Sequence, residues 1–187
     1  MFRTCQVLKL TAALALCGFA SIAATAEEKP FPKGSAVLTV AGKTANWNRG
    51  AMAPDRDNLL KQRDIKFERA MAFDWDMLSG LPQHELKVVT PVGEGAYKGP
   101  LLTDVLKESG AQDGKIRLVS LDGSATELDS KELKDENWVL TLSVDGKPVG
   151  IGDYCPVWLM HKPASGATPS KEEMERWIWS VFYIEVL

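Results

Sequence analysis

The side chains that most often carry enzyme chemistry are few in this chain: His84, His161 and Cys155 in the part that follows the N-terminal apolar run. The two histidines are far apart in sequence and neither belongs to a cluster with metal-ligand spacing, which argues against a zinc site. No serine, histidine and aspartate follow one another with a nucleophile-elbow signature, and no glycine-rich phosphate loop opens a helix. A lone cysteine is usually buried and inert, with a ligand or redox role as the minority interpretation.

Three charged residues lie where a binding site could use them. Asp122 and Asp153 are at predicted turns, where loops often carry function, and Arg176 is near the end of a predicted helical segment. Each also has a structural interpretation: Asp122 as an ordinary Asp-Gly turn residue, Asp153 as the cap of the turn after it, and Arg176 as a solvated charge. The six tryptophans are a high number for 187 residues, and each of them also suits a buried core.

The N-terminal residues, 1–26, have the pattern of a secretory signal peptide. Arg3 and Lys9 accompany an apolar run at 10–24, and Ala24-Thr25-Ala26 matches an A-x-A cleavage site. We expect cleavage after Ala26 and a periplasmic or secreted product, with a retained N-terminal anchor as the alternative. Residues 27–187 would then carry a net charge of about −5, which disfavours a nucleic-acid partner. No later apolar run is long enough for membrane insertion.

Residues 27–187 are predicted to form one domain of many short strands and a few short helices. Residues 85–90 alternate and are β-branched, as in a strand, whereas 101–109 place four apolar residues on one helical face before Gly110. This pattern predicts an α+β fold with a mixed sheet. The predicted strands are 36–42, 65–67, 85–90, 115–121, 138–144, 157–160 and 181–186; the helical segments are 73–82, 101–109, 130–135 and 171–177; the turns or loops are 45–57, 92–100 and 164–170.

From Phe73 onward, a series of short motifs resembles the sulfite-oxidase-like, molybdopterin-binding oxidoreductase family. Each motif is weak alone, and their colinear order carries the resemblance. In chain order they are Leu81-Pro82-Gln83-His84-Glu85, Thr90-Pro91, Tyr97-Lys98-Gly99-Pro100-Leu101-Leu102-Thr103-Asp104-Val105-Leu106, Leu121-Asp122-Gly123, Leu142-Ser143-Val144-Asp145-Gly146-Lys147-Pro148-Val149, Asp153-Tyr154-Cys155-Pro156-Val157-Trp158, Trp179 and Ile184-Glu185-Val186.

The resemblance implies a sulfite-oxidase-like α+β domain with a mixed sheet, short helices and a pocket for a pterin. In the enzymes of that family a cysteine just after the strand at 85–90 ligates molybdenum, but here the strand runs into Thr90 and Pro91. A threonine hydroxyl does not replace the soft thiolate that molybdenum needs, and Cys155 falls in a different loop, where the family pattern has Gly or Ala. A subset of short periplasmic relatives lacks the cysteine, binds a free pterin and regulates a membrane signalling partner. This chain is more similar to that subset.

The resemblance also implies roles for individual residues. A carboxylate can accept two hydrogen bonds from the aminopyrimidinone edge of a pterin, and an indole can stack on its face. If Trp177 and Trp179 belong to a strand, they face the same way. The predicted ligand-binding residues are therefore Thr90 and Pro91 in the pocket lining, Asp122 and Asp153 at the pterin edge, Trp158 and Trp179 with Trp177 at its face, and Arg176 at an anionic or polar tail.

These expectations describe a non-catalytic protein that binds a pterin non-covalently and regulates the periplasmic domain of a membrane signalling protein. The first alternative is a periplasmic oxidoreductase that carries the molybdenum cofactor with an unusual or absent protein ligand. The second is an adaptor that keeps the fold and binds no ligand.

Overall fold

The structure, a computed structural model, describes residues 26–53, 55–90, 93–150, 152, 156–164, 166 and 168–187. Residues 1–25 of the predicted signal peptide lie outside the described residues, as do Pro91, Asp153 and Cys155. The strands are β1 (Glu27–Glu28), β2 (Leu38–Gly42), β3 (Asn46–Trp47), β4 (Ala70–Phe73), β5 (Gln83–Thr90), β6 (Gly93–Pro100), β7 (Ile116–Ser120), β8 (Ala125–Leu128), β9 (Trp138–Thr141), β10 (Ser143–Val144), β11 (Lys147–Pro148), β12 (Trp158–His161) and β13 (Val181–Val186). The helices are α1 (Asn58–Gln62), α2 (Trp75–Gly80), α3 (Leu102–Glu108), α4 (Ser130–Asp135) and α5 (Lys171–Glu175).

The five-stranded sheet has the order β4-β2-β13-β7-β8. Its central strand, β13, is parallel to β2 and antiparallel to β7, so that Ile184 lies between Val40 and Leu118. The β13 sequence is rich in β-branched and aromatic residues, and all of it except Glu185 is buried. Such a composition is typical of a central strand covered on both faces.

A second set of strands shares the main core with this sheet. β5 and β6 form a long antiparallel hairpin, which belongs to a four-stranded sheet of order β11-β10-β6-β5. β12 pairs with β9 in a separate two-stranded sheet. β9 runs very close to β6. A Cβ built on Gly99 would lie only 1.8 Å from the carbonyl oxygen of Leu140. The Leu142 amide donates to the Lys98 carbonyl at 2.8 Å. Only glycine allows this backbone approach, which joins the hairpin to the β9–β12 pair.

Side-chain caps define the starts of three helices. Asp74 caps α2 by accepting from the Met77 amide at 2.8 Å, and its other oxygen accepts from the Gly34 amide at 2.8 Å. These backbone donors, Met77 first and then Gly34, hold the pKa of the buried Asp74 carboxyl below its ordinary value. Asp129 and Ser170 form capping boxes at α4 and α5.

The five-stranded sheet is covered on both faces. The main core lies on one face, and a smaller cluster on the other includes Leu60, Ile65, Val119, Phe182 and Tyr183. Burial in this smaller cluster raises the pKa of the Tyr183 phenol. The segment that contains α1 therefore forms the outer cover of the sheet.

The observed mixture of sheets and short helices agrees with the predicted α+β class, but several local predictions were wrong. Residues 65–67 form no strand. Ile65 belongs to the smaller cluster and Phe67 packs against it, and the next strand along the chain is β4. Residues 92–100 were predicted as turns, whereas 93–100 form β6. The predicted strand 138–144 is divided at Leu142 into β9 and β10.

Within the described part of the chain, no helix combines the length and apolar character that a membrane crossing requires.

Candidate functional site

A cleft of about 470 Å³ opens on the face of the five-stranded sheet that carries the smaller cluster. Its walls are formed by β2, β13, α1 and the loop before α1. Leu121, after β7, and Pro156, before β12, complete them. The lining mixes apolar side chains with two arginines, an aspartate, an asparagine and a threonine. These residues are Ala36, Val37, Thr39, Arg49, Arg56, Asp57, Asn58, Leu59, Leu60, Leu121, Pro156 and Phe182.

The cleft contains two arginines: Arg49 is paired with an aspartate, and Arg56 is not. Arg49 Nη2 lies 2.7 Å from Asp57 Oδ2, which also accepts from the Ala53 amide at 2.8 Å. Burial works against ionisation of Asp57, but the Ala53 amide and Arg49 together hold its pKa below the ordinary value, so this pair is charged on both sides. Arg56 is exposed and takes part in none of the salt bridges among the described residues. It is the lining group that can receive an anion.

Beside the cleft lies a polar and aromatic rim, formed by Arg63, Leu121, Asp122 and Trp179. Trp179 is 49% exposed, and its side chain lies close enough to the Asp122 carboxylate to make a small contribution to lowering its pKa. Asp122 also accepts from the Ser124 amide at 2.8 Å, and this amide is the main reason that its pKa lies below the ordinary value, with Arg63 adding to the effect. The Asp122 carboxylate is therefore ionised and exposed at neutral pH.

Arg63 supports the rim from below. Its Nη2 donates to the Leu121 carbonyl, and its guanidinium lies where a side chain at Gly123 would project. Gly123 has a φ of +92°, a conformation that favours glycine. The Arg63 Nε is buried and has no hydrogen-bond partner among the described residues. A buried donor of this kind normally bonds a water or a ligand.

The second group of aromatic residues is buried in the main core, and we call it the aromatic row: Tyr97, Trp158, Trp177, His161 and Trp138. Successive ring centroids are 5.5, 5.8, 6.3 and 4.6 Å apart, and every pair meets edge to face. All five residues are more than nine-tenths buried. The β9–β12 register pairs Trp138 with His161 at the end of both strands. Edge-to-face pairs of this kind stabilise a core.

Three polar atoms in the row have no hydrogen-bond partner in the described structure: Trp138 Nε1, Trp177 Nε1 and His161 Nε2. His161 Nδ1 lies 3.1 Å from the Lys162 carbonyl oxygen, so this nitrogen carries the hydrogen and Nε2 is an acceptor in the neutral ring. Buried atoms of both kinds, two donors and one acceptor, are therefore present in one tightly packed region.

Arg176 closes the surface end of the row. Its guanidinium lies 5.3 Å from the Trp138 ring centroid and pairs with Glu136 at 2.9 Å and Glu132 at 3.0 Å. These carboxylates, Glu136 first, raise the pKa of Arg176. Two anions already surround this cation, so it serves to fasten α4 to the segment after α5.

Thr90, at the strand end where the resemblance places the metal-binding cysteine, is buried and its hydroxyl is engaged. Thr90 Oγ1 lies 2.9 Å from the Tyr97 hydroxyl and 3.1 Å from the Gly93 carbonyl oxygen. The described residues contain no group of three or more His, Cys, Asp or Glu side chains that could hold a metal ion. The contacts of the Thr90 and Tyr97 hydroxyls therefore stabilise the packed end of the β5–β6 hairpin.

The structure therefore divides the predicted ligand-binding residues between two regions. Asp122 and Trp179 meet at the rim, whereas Trp158 and Trp177 belong to the aromatic row and Arg176 to its end. Because Trp177 is buried and Trp179 is half-exposed, these two rings do not form one platform. Thr90 lies at the Tyr97 end of the row. Pro91 and Asp153 lie outside the described residues.

Sequence reasoning missed the arginines of the α1 segment. Arg49, Arg56 and Arg63 recur every seven residues in a stretch with few apolar residues, and two of them line the cleft while the third supports its rim. Their regular spacing was the available signal.

Comparisons with known proteins bear on the fold alone. The structure is similar to the sulfane dehydrogenase SoxCD from Paracoccus pantotrophus, with a TM-score of 0.54 and 11% sequence identity. The match covers 84% of this chain and 39% of that chain. No protein-family model and no curated protein matches the sequence. The likeness to a dehydrogenase suggests a molybdopterin-oxidoreductase-like fold, which is the coarse part of what the motifs predicted.

Proposed function

We propose that this chain is a periplasmic pterin-binding protein of the molybdopterin-oxidoreductase-like fold. It holds a pterin non-covalently, carries out no chemistry on it, and acts as a ligand sensor for a membrane signalling partner. The observation that carries the proposal is the meeting of Asp122 and Trp179 at the rim of a cleft that also offers Arg56.

The cleft suits a pterin in size and in chemistry. A volume of about 470 Å³ falls within the range of small-molecule sites. Leu59, Leu121 and Phe182 offer apolar surface for the flat bicycle, and the exposed Trp179 ring offers a stacking face. The ionised Asp122 can accept hydrogen bonds from an aminopyrimidinone edge. The set of donors and acceptors therefore fits the ligand that the motifs imply.

The Thr90 end of the β5–β6 hairpin supports the proposed absence of catalysis. Molybdenum chemistry in this family depends on a soft sulfur ligand, and Thr90 offers a hard oxygen that Tyr97 and Gly93 already engage. A pterin bound by hydrogen bonds and stacking needs no such ligand.

Sensing follows from the kind of segments that line the cleft. The loop before α1, the turn at Leu121 and the residue Pro156 all lie outside regular elements. A ligand that bridges them favours one arrangement of these surface segments over others, and a partner can read that arrangement.

Binding is tested with protein purified from the periplasm and the fluorescence of 2-amino-4-oxopteridine as the probe. We expect stoichiometric binding that weakens about tenfold or more in Asp122→Asn and in Trp179→Ala. Phe31→Ala is the matched control, because it removes an exposed aromatic ring that lies away from the cleft. Probe binding that both variants keep at full strength would refute the assignment of the site.

Metal and pterin analysis of the same preparation separates the proposed function from its alternatives. The proposal expects a fluorescent pterin after oxidative extraction and molybdenum well below one equivalent. One equivalent of molybdenum would favour the molybdopterin-dependent oxidoreductase. Neither pterin nor molybdenum, together with no probe binding, would favour the adaptor.

A further inference from the structure

The strand β5 has an unusually long outer edge. It pairs with β6 over its whole length of eight residues, and no described strand or isolated bridge pairs with its other side. An edge of this length presents backbone donors and acceptors that can recruit another strand.

The other sheet edges among the described residues are short or covered. β11 has two residues and β8 has four. β4 also has four, and Arg49 bridges to it at Ala70. Shortness and cover are common ways in which proteins block edge pairing. β5 uses neither.

The charges on β5 are self-complementary. Glu85 and Lys87 flank the buried Leu86, and their side chains are 48% and 74% exposed. In an antiparallel pairing of two copies about a two-fold axis at Leu86, Glu85 of each copy lies directly opposite Lys87 of the other. Opposite charges in such positions attract, whereas two lysines would repel.

We propose that this chain forms a two-fold dimer through antiparallel pairing of the two β5 edges, centred on Leu86. The pairing joins the two four-stranded sheets into one sheet of eight strands. The odd-numbered residues Glu85 and Lys87 form alternating charge pairs on the solvent side. The Leu86 side chains of the two copies lie opposite one another on the side of the sheet that carries the core, and Val88 of each copy lies opposite His84 of the other.

The test is a charge exchange followed by sedimentation equilibrium between about 1 and 300 μM, a range that spans micromolar dissociation constants. Glu85→Lys and Lys87→Glu each place like charges opposite one another at two points of the interface, so each is expected to weaken dimerisation at least tenfold. The double variant E85K/K87E restores opposite charges and is expected to dimerise like the unchanged chain. Both positions are exposed, and circular dichroism checks that every variant is folded.

Matched controls come from α4, where Lys131 and Asp135 form an exposed pair remote from β5 in sequence. Lys131→Glu and Asp135→Lys change the net charge by the same amounts as the two β5 variants, and the proposal expects no effect on dimerisation. A monomeric unchanged chain over the whole range would overturn the proposal. So would failure of the double variant to recover, or equal weakening by the α4 controls.

Discussion

The cleft and the aromatic row contain the same kinds of residue, tryptophan, arginine and carboxylate, in opposite settings. At the rim, Trp179 is half-exposed and Asp122 is open to solvent. In the row, Trp158 is covered by neighbouring rings, and Arg176 is held between two glutamates. Residue type alone therefore does not identify a binding group. A side chain can bind a ligand only where part of its polar atoms or of its ring face stays exposed after its bonds within the fold are made.

The two arginines make the same point. Arg56 lines the cleft, is exposed and forms no salt bridge with a described residue. Arg176 forms two and lies over the Trp138 ring. We therefore expect substitutions in the row to change stability and substitutions at the cleft to change binding.

The largest expected effect is the loss of a row tryptophan. Trp158→Ala removes a buried ring that contacts Tyr97 and Trp177, and it should lower the free energy of unfolding by about 3–5 kcal/mol. Trp179→Ala removes a half-exposed ring and should cost less than about 1 kcal/mol. Urea unfolding followed by circular dichroism measures both. Equal losses of unfolding free energy in the two variants would contradict the difference described between the aromatic row and the rim.

A second comparison uses two aspartates whose pKa values are both lowered by backbone amides. Asp74→Ala removes the buried cap of α2 and should cost about 1–2 kcal/mol, whereas Asp74→Asn keeps an oxygen acceptor and should cost less. Asp122→Asn at the rim is the exposed counterpart and should leave stability nearly unchanged at neutral pH.

The contribution of Asp74 to stability depends on pH in a defined direction. Because the folded pKa of Asp74 is below its unfolded value, its contribution is present above about pH 4 and is lost as the pH falls through the folded value. Asp74→Ala should therefore unfold with a weaker dependence on pH below about pH 4 than the unchanged chain, as measured by urea titrations at several pH values. An unchanged slope would contradict the role given to the two backbone donors.

A third experiment examines the Thr90 end of the row. Thr90→Val and Tyr97→Phe each remove one partner of the 2.9 Å hydroxyl contact and should each cost about 1 kcal/mol. The double variant should cost less than the two single losses together, because both remove the same hydrogen bond. Strict additivity in thermal unfolding would show that the two hydroxyls act independently.

The smallest expected effect distinguishes the two arginines. Arg176→Gln should lower stability by about 0.5–1 kcal/mol, because the pairs with Glu132 and Glu136 are partly exposed, and should leave pterin affinity unchanged. Arg56→Gln should do the reverse, with weaker binding of a pterin that bears an anionic tail and unchanged stability. Titration with 2-amino-4-oxopteridine-6-carboxylate, together with urea unfolding, measures both properties.

Elements with local signals could be predicted from the sequence. Asp74 ahead of 75–80, the apolar face of 102–108 and the β-branched run 181–186 each specify an element by themselves, and the structure has all three. Strand β6 could not be recognised in this way. Its glycines suggest turns, but Gly99 is required by the approach of Leu140, a contact distant in sequence.

The candidate site was predictable only in part for the same reason. The sequence predicts that Asp122 and Trp179 belong to one site, and Trp179 is near enough to Asp122 to affect its pKa, so this assignment stays a prediction. It could not separate Trp177 from Trp179, because the backbone there forms only an isolated bridge at Ile178 and not a regular strand. Whether Arg176 is available depends on Glu132 and Glu136, whose positions follow from the packing of α4 against the segment after α5.

The central position of β13 has a consequence for how the chain matures. A polypeptide that has been synthesised only as far as Ser180 contains the β2–β4 and β7–β8 pairs but lacks the strand that joins them. The large sheet therefore closes only after β13 becomes available. Until then the edges of β2 and β7 that pair with β13 remain open.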